Sequence, residues 1–155
     1  MQVSYLSEHP EFIPTLASAL LAHYGDLLPE DSFETRAEKL RRHLNRDSLP
    51  IAWVAHSEAG VAGTAALRVH DLEGREDLTP WLGGVYVLPE HRRRGVGAAL
   101  CATVERKAAS LGVQTLYLFT LDRQTWYADM GWRPFDHCTW RGQAGAIMRK
   151  QLDAV

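Results

Sequence analysis

Residues 85–100 read VYVLPEHRRRGVGAAL, and the reading of this stretch decides the fold. An apolar β-rich run ending at Leu88 is broken by Pro89. Three consecutive arginines, Arg92, Arg93 and Arg94, then precede Gly95 and Gly97, and an Ala- and Leu-rich segment follows. The glycines therefore sit between a strand and the start of a helix. Such a junction exposes backbone N–H groups without intrahelical partners, and the helix dipole adds positive potential there, so it suits a phosphate. It is not a Walker loop, because no Gly-Lys-Ser/Thr follows. It is not the dinucleotide fingerprint either, because Leu100 stands where the third glycine belongs. A nucleic-acid reading needs a basic, aromatic-studded surface, whereas the helix after Gly95 is dominated by Ala, Val and Leu. A solvated turn would account for the arginines but leaves the Gly-x-Gly unexplained.

Upstream of this stretch, QVSYL predicts a short first strand. Apolar residues then recur at helical spacing from Phe12 to Tyr24, with Pro14 tolerable in the first turn. Asp31 and Glu34 predict the cap of a second helix carrying Phe33, Ala37, Leu40 and Leu44. IAWVAHS and VAGTAALRV, separated by EAG, predict a hairpin, and WLGGVYVL another strand. Downstream, Val96, Leu100, Val104, Ala108 and Leu111 mark one helical face, with Gly112 as its C-terminal cap. TLYLFT, apolar on both faces, predicts a strand buried between layers. Asp122 predicts the cap of a short helix through QTWYADM, stopped by Gly131, and two strands near FDHCTW and AIMRKQL close the chain around the turn RGQ. The order is β-αα-βββ-α-β-α-ββ, an α+β chain with a mixed sheet and helices on its faces.

Composition narrows the rest. A chain of 155 residues with 46% hydrophobic content is sized for one domain spanning residues 1–155. Its net charge of −2 excludes a strongly basic polyanion binder. No apolar run approaches a membrane span and no cleavable leader is visible, so a cytoplasmic protein is expected, with neither membrane nor nucleic acid as partner. Cys101 and Cys138 lack metal-ligand spacing and read as reduced thiols. The seven histidines are dispersed, so no metal site is expected. There is no GxSxG nucleophile elbow.

The segment VYVLPEHRRRGVGAAL resembles the acyl-CoA-binding segment of the GNAT superfamily of N-acetyltransferases, Gln/Arg-x-x-Gly-x-Gly/Ala after a strand, here Arg92, Gly95 and Gly97. A second stretch, TLYLFTLDRQTWYADMGWRPF, resembles the family's next strand and short helix, where a tyrosine precedes a Gly-aromatic pair. The element order agrees over nearly the whole chain. The resemblance implies a mostly antiparallel sheet of about seven strands with helices on both faces. It also implies a central parallel pair that splays to admit the pantetheine arm. Acetyl-CoA is then the cosubstrate. Val85, Tyr86 and Val87 would lie along pantetheine, and the N–H groups of Arg92, Arg93, Arg94, Gly95, Val96, Gly97 and Ala98 would hold the pyrophosphate. Asp122 would stand where many relatives carry an asparagine that meets pantetheine.

The implied reaction is direct attack of a primary amine on the acetyl thioester, with a backbone N–H near Val87 as oxyanion donor. An alkylammonium with a pKa of about 10.4 holds roughly one part in 2,500 as free amine at pH 7, a cost of about 4.6 kcal/mol to be offset by a base or by desolvation. The departing thiolate, about 1.5 units from neutrality, is the smaller problem. Tyr127 matches the family's thiolate-protonating tyrosine, with packing beside Trp126 as its competing role. The strand WLGGVYV carries no carboxylate, so the base is sought in Asp71, Glu73, His70, His23 or a bound water. Trp81 and the YGDLLPED connection are the candidate acceptor-site elements. A small-molecule amine is the expected acceptor and a homodimer a possible assembly. A protein or peptide N-acetyltransferase, or a noncatalytic acyl-CoA-binding module, is the alternative.

Overall fold

The computed structural model describes residues 1–153. Strand β1 (Gln2–Tyr5) passes through two short 3-10 turns into helix α1 (Ile13–Tyr24), where Pro14 occupies the first turn and Ile13, Leu16, Ala17 and Leu20 form the buried stripe. Helix α2 (Phe33–Arg41) follows. Strands β2 (Ile51–Ser57) and β3 (Gly60–Arg68) make the expected hairpin, and a long connection leads to β4 (Trp81–Val87). Helix α3 (Val96–Ser110), β5 (Thr115–Thr120), the short α4 (Gln124–Ala128), β6 (Arg133–Trp140) and β7 (Gln143–Gln151) complete the chain. Gly112 and Gly131 both take left-handed φ, at 86° and 96°, and each ends the helix before it. No helix among the described residues is long and apolar enough to cross a membrane.

Two caps differ from expectation. Ser32, not Asp31, caps α2. Its hydroxyl accepts the Thr35 N–H at 3.1 Å, while the Thr35 hydroxyl accepts the Ser32 N–H at 2.9 Å. Asp31 is engaged instead by Arg36 in a partly buried ion pair, and Glu34 lies exposed in the first turn. Asp122 does not cap α4. The cap position falls to Arg123, whose N–H is taken by the Thr120 hydroxyl at 3.0 Å. The second helix also stops short of Leu44.

The sheet order is β1-β2-β3-β4-β5-β7-β6, and every pairing is antiparallel except β4 with β5. One face packs on α3 through Ile51, Trp53, Ala65, Leu67, Leu82, Leu116, Leu118 and Met148, against Leu100, Cys101, Val104 and Ala108. The other face receives α1 and α2 over Ala52, Val54, Ala66 and Tyr86, and a separate cluster gathers Leu72 and Leu78 with Trp81 and Ile147. The strand TLYLFT is apolar on both faces as read, yet its burial alternates. Leu116 and Leu118 are closed off by α3, whereas Tyr117 and Phe119 are half-covered on the opposite side.

Helix α2 is seated on the end of β3 by a buried histidine. The His43 Nδ1–H donates to the Lys39 carbonyl at 2.7 Å, which fixes the tautomer and leaves Nε2 bare to accept from Arg68 Nε at 2.9 Å. Burial, and then the Arg68 charge, push the His43 pKa down from 6.5 to about 4.

Leu100 is fully buried at the centre of the α3 face. Leu100→Ala is expected to destabilise by about 2–5 kcal/mol, read as a lower urea midpoint at constant m-value. For His43 the folded state favours the neutral ring, while the unfolded chain binds a proton near pH 6.5. Its contribution is therefore complete above that pH and is lost as pH falls toward 4. Between pH 7.5 and 5 the loss is about 2 kcal/mol, and the excess slope of wild type over His43→Gln in urea titrations at the two pH values measures it.

Candidate active site

Parallel pairing between β4 and β5 consists of one registered pair, Trp81 opposite Tyr117, supported by the Tyr117 N–H on the Pro80 carbonyl at 3.1 Å. Beyond that point the strands diverge, leaving an opening toward their C-terminal ends. A β-bulge in β4 lies on its edge. Tyr86 pairs with Thr64 and Gly83 with Ala66, so Gly84 and Val85 together face Ala65. Gly84 accommodates the bulge with φ of 60°. Past it, the Leu88 N–H returns to the Ala62 carbonyl at 2.8 Å. By strand alternation the polar groups of Val87 then point away from β3, into the opening.

At the C-terminal end of the opening the chain builds a cradle of donors. Among the described residues, the N–H groups of Arg93 to Ala98 take no backbone acceptor, the first helical bond being Ala99 N–H to the Gly95 carbonyl at 3.0 Å. Arg93 and Gly95 both have left-handed φ, 63° and 78°, which curls the segment into a concave nest at the start of α3. A Cβ on Gly95 would meet open space, so its φ is what demands glycine. A Cβ on Gly97 would lie 3.0 Å from the Trp126 ring, so that glycine lets α3 and α4 approach. Val96 is buried in the α3 core and Ala98 is exposed on the first turn. This donor set fits a pyrophosphate.

The three arginines behave differently. Arg92 folds back, its Nε donating to the Val87 carbonyl at 2.9 Å with the guanidinium 5.5 Å from the Tyr86 ring centre. Arg93 and Arg94 extend into solvent. Tyr86 itself lies under α1, 5.1 Å from the His23 ring. Burial, and then Arg92, lower the His23 pKa, and the charges of Asp122 and Arg123 also reach this ring. His23 and Arg92 thus both lie against the Tyr86 ring.

Tyr127 on α4 is 8% exposed and packs edge-on to Trp126 and Trp132. Burial raises its pKa far above 10, with Cys101, Tyr24 and Asp71 adding to the effect and Arg123 opposing it. Its phenol is a fixed proton donor at neutral pH.

Gly83 and Gly84 show which groups lie against this strand. A Cβ on Gly83 would lie 2.7 Å from Asp71 Oδ1, and one on Gly84 would lie 2.7 Å from an Arg68 terminal nitrogen. The strand is bared so that the Arg68–Asp71 ion pair, 2.6 Å long and largely buried, can lie on its backbone. Of the four candidate bases, Asp71 lies against Gly83 and His23 against the Tyr86 ring, and His23, His70 and Glu73 are all exposed. The same ion pair lines a cavity of about 390 Å3 walled by Lys39, Arg42 and His43 and by the 69–76 segment. Neither Arg68 nor Lys39 was singled out in the sequence. Paired glycines inside a central strand were the available signal, since they mark close approach of another group.

No curated protein matches the chain. Among solved structures, the ribosomal-protein-alanine N-acetyltransferase of Brucella melitensis superposes with a TM-score of 0.77 at 21% identity, covering 98% of this chain and 100% of that one. The aminoglycoside 6'-N-acetyltransferase of Enterococcus faecium gives 0.77 at 18%, covering 100% and 99%. An aminoglycoside 6'-N-acetyltransferase complexed with coenzyme A gives 0.76 at 17%, again covering 100% and 99%. At these identities the likeness is one of fold. The acetyltransferase (GNAT) family model matches residues 15–131. With the splayed parallel pair and the donor cradle where that family's resemblance requires them, the chain belongs to the GNAT family of acetyltransferases and is an acetyl-CoA-dependent N-acetyltransferase.

Proposed function

We propose that this enzyme acetylates a primary amine on a small molecule, the amine attacking the thioester directly. The supporting observation is the cavity of about 390 Å3 whose wall, the Arg68–Asp71 pair, rests on the β4 bulge. That volume suits a small ligand better than a folded protein surface. Acetyl-CoA supplies an activated acyl group on a thiol leaving group. The chain supplies the rest. The Arg93–Ala98 N–H groups and the α3 dipole hold the pyrophosphate, with Arg93 and Arg94 as mobile charge partners. Gly95 keeps that cradle concave. Val85 and Val87 line the pantetheine arm, and the Val87 N–H, pointing into the opening, is the oxyanion donor.

Asp71 faces the incoming ammonium, and its proton leaves through Asp71 or a water toward His23, which is neutral at pH 7. The free amine forms the C–N bond as the C–S bond breaks, the Tyr127 hydroxyl gives its proton to sulfur, and the proton that the attacking nitrogen then sheds returns through water to the phenolate. Burial holds the phenol protonated in the resting enzyme, and coupling its transfer to loss of the nitrogen's proton keeps a buried phenolate from accumulating.

Purified protein, acetyl-CoA and a panel of small amines and peptide N-termini, followed by thiol release, test the acceptor class. Turnover confined to peptides would reverse it. Tyr127→Phe is expected to lower kcat by about 10- to 100-fold while leaving CoA affinity within about twofold, since a thiolate is already a fair leaving group. An unchanged single-turnover rate would remove Tyr127 from the reaction. Gly95→Ala adds about 1–2 kcal/mol of backbone strain at the cradle, and calorimetry should show CoA binding weakened about tenfold.

A further inference from the structure

The cavity beside β4 carries segregated charge. Lys39 and Arg42 from α2 and Arg68 from the end of β3 form one wall. Asp71, Glu73 and Glu76, all from the β3–β4 connection, form the other. Formal charge across these six groups balances, but among them only Arg68 and Asp71 are paired with each other. Arg68 commits one terminal nitrogen to Asp71 and its Nε to His43. Arg42 reaches Glu38 only at 3.9 Å. Lys39 makes no ion pair among the described residues, and its pKa is pulled down to about 8, first by the Arg68 charge and then by burial. Lys39 thus faces the cavity without an ion-pair partner, beside an Arg68 whose one carboxylate partner among the described residues is Asp71, and His43, held neutral, adds no further charge.

We infer that the acceptor is an amino carboxylate, its carboxylate lying against Lys39 and Arg68 and its ammonium facing Asp71 beside the β4 bulge. This rests on the small-molecule reading above. A polyamine would set ammonium groups against Lys39, Arg42 and Arg68, and a neutral amine would leave the Lys39–Arg68 repulsion unrelieved. A phosphomonoester dianion would meet Asp71, Glu73 and Glu76 across the same cavity. One negative and one positive group on a small frame match both walls.

The test compares amino carboxylates of increasing chain length with their matching carboxamides and with linear polyamines, using thiol release from acetyl-CoA. The expected result is a kcat/KM at least about tenfold higher for a carboxylate than for its carboxamide. Lys39→Met should reduce that ratio to within about twofold, and Lys39→Arg should restore it, with unchanged urea midpoints showing that both variants fold. Equal or better turnover of carboxamides or polyamines, or a ratio insensitive to Lys39→Met, overturns the inference and leaves the small-molecule reading standing. Absence of turnover with every small amine overturns both.

Discussion

A sheet that must remain one body while opening at its centre depends on a single contact, Trp81 of β4 against Tyr117 of β5. Trp81 is fully buried and its indole N–H is taken by the Leu78 carbonyl at 2.7 Å, so the contact is anchored through the connection that precedes it. Tyr117 packs on it with ring centres 5.9 Å apart. With the ladder abandoned beyond this point, cohesion passes from hydrogen bonds to burial. Helix α3 lies across the gap, and its apolar face reaches strands on both sides through Leu67 and Leu82 on one and Leu116, Leu118 and Met148 on the other. The lost strand pairing exposes main-chain donors and acceptors where an extended ligand can use them. It also places the start of α3, the bulge of β4 and the Tyr127 helix around one space.

Glycine is used at that space for three unrelated physical reasons. Gly95 supplies a left-handed φ, Gly97 permits the Trp126 ring to touch α3, and Gly83 with Gly84 clear β4 for an ion pair from elsewhere in the chain. Only the first is a property of the backbone alone. The other two are negative images of side chains distant in sequence, which is why a Gly-x-Gly pattern can be recognised without revealing what fills the space it leaves.

That distinction sets how much was legible. The element order, the hairpins, the Gly112 and Gly131 stops and the anion cradle were readable because each is encoded within a dozen residues. Capping was harder. In the run DSFET four residues can accept or return a cap, and the reciprocal pair formed is Ser32 with Thr35, while Asp31 is held by Arg36 and by those same two residues. Asp122 lost the cap position to Arg123, whose N–H the hydroxyl of Thr120, three residues earlier, accepts. The Lys39–His43–Arg68–Asp71 group was unreadable. It joins α2, β3 and the following connection, and its existence depends on the register that sets Arg68 opposite Trp81 and on the path of a long loop.

The same group links stability to recognition through one histidine. His43 can accept from Arg68 only while its Nε2 carries no proton, and its Nδ1–H is already spent on Lys39. A charged ring would place a third cation beside Lys39 and Arg68 and break the bond that aims the guanidinium at Asp71. The ion pair on β4 is therefore oriented by a neutral group chosen by burial. Relocating the carboxylate from the strand to the connection leaves its position adjustable through Arg68, while Gly83 and Gly84 keep the strand beneath it free of side chains. An acidic side chain on β4 itself would be fixed by the strand, whereas Asp71 is fixed by a partner that also lines the cavity beside β4.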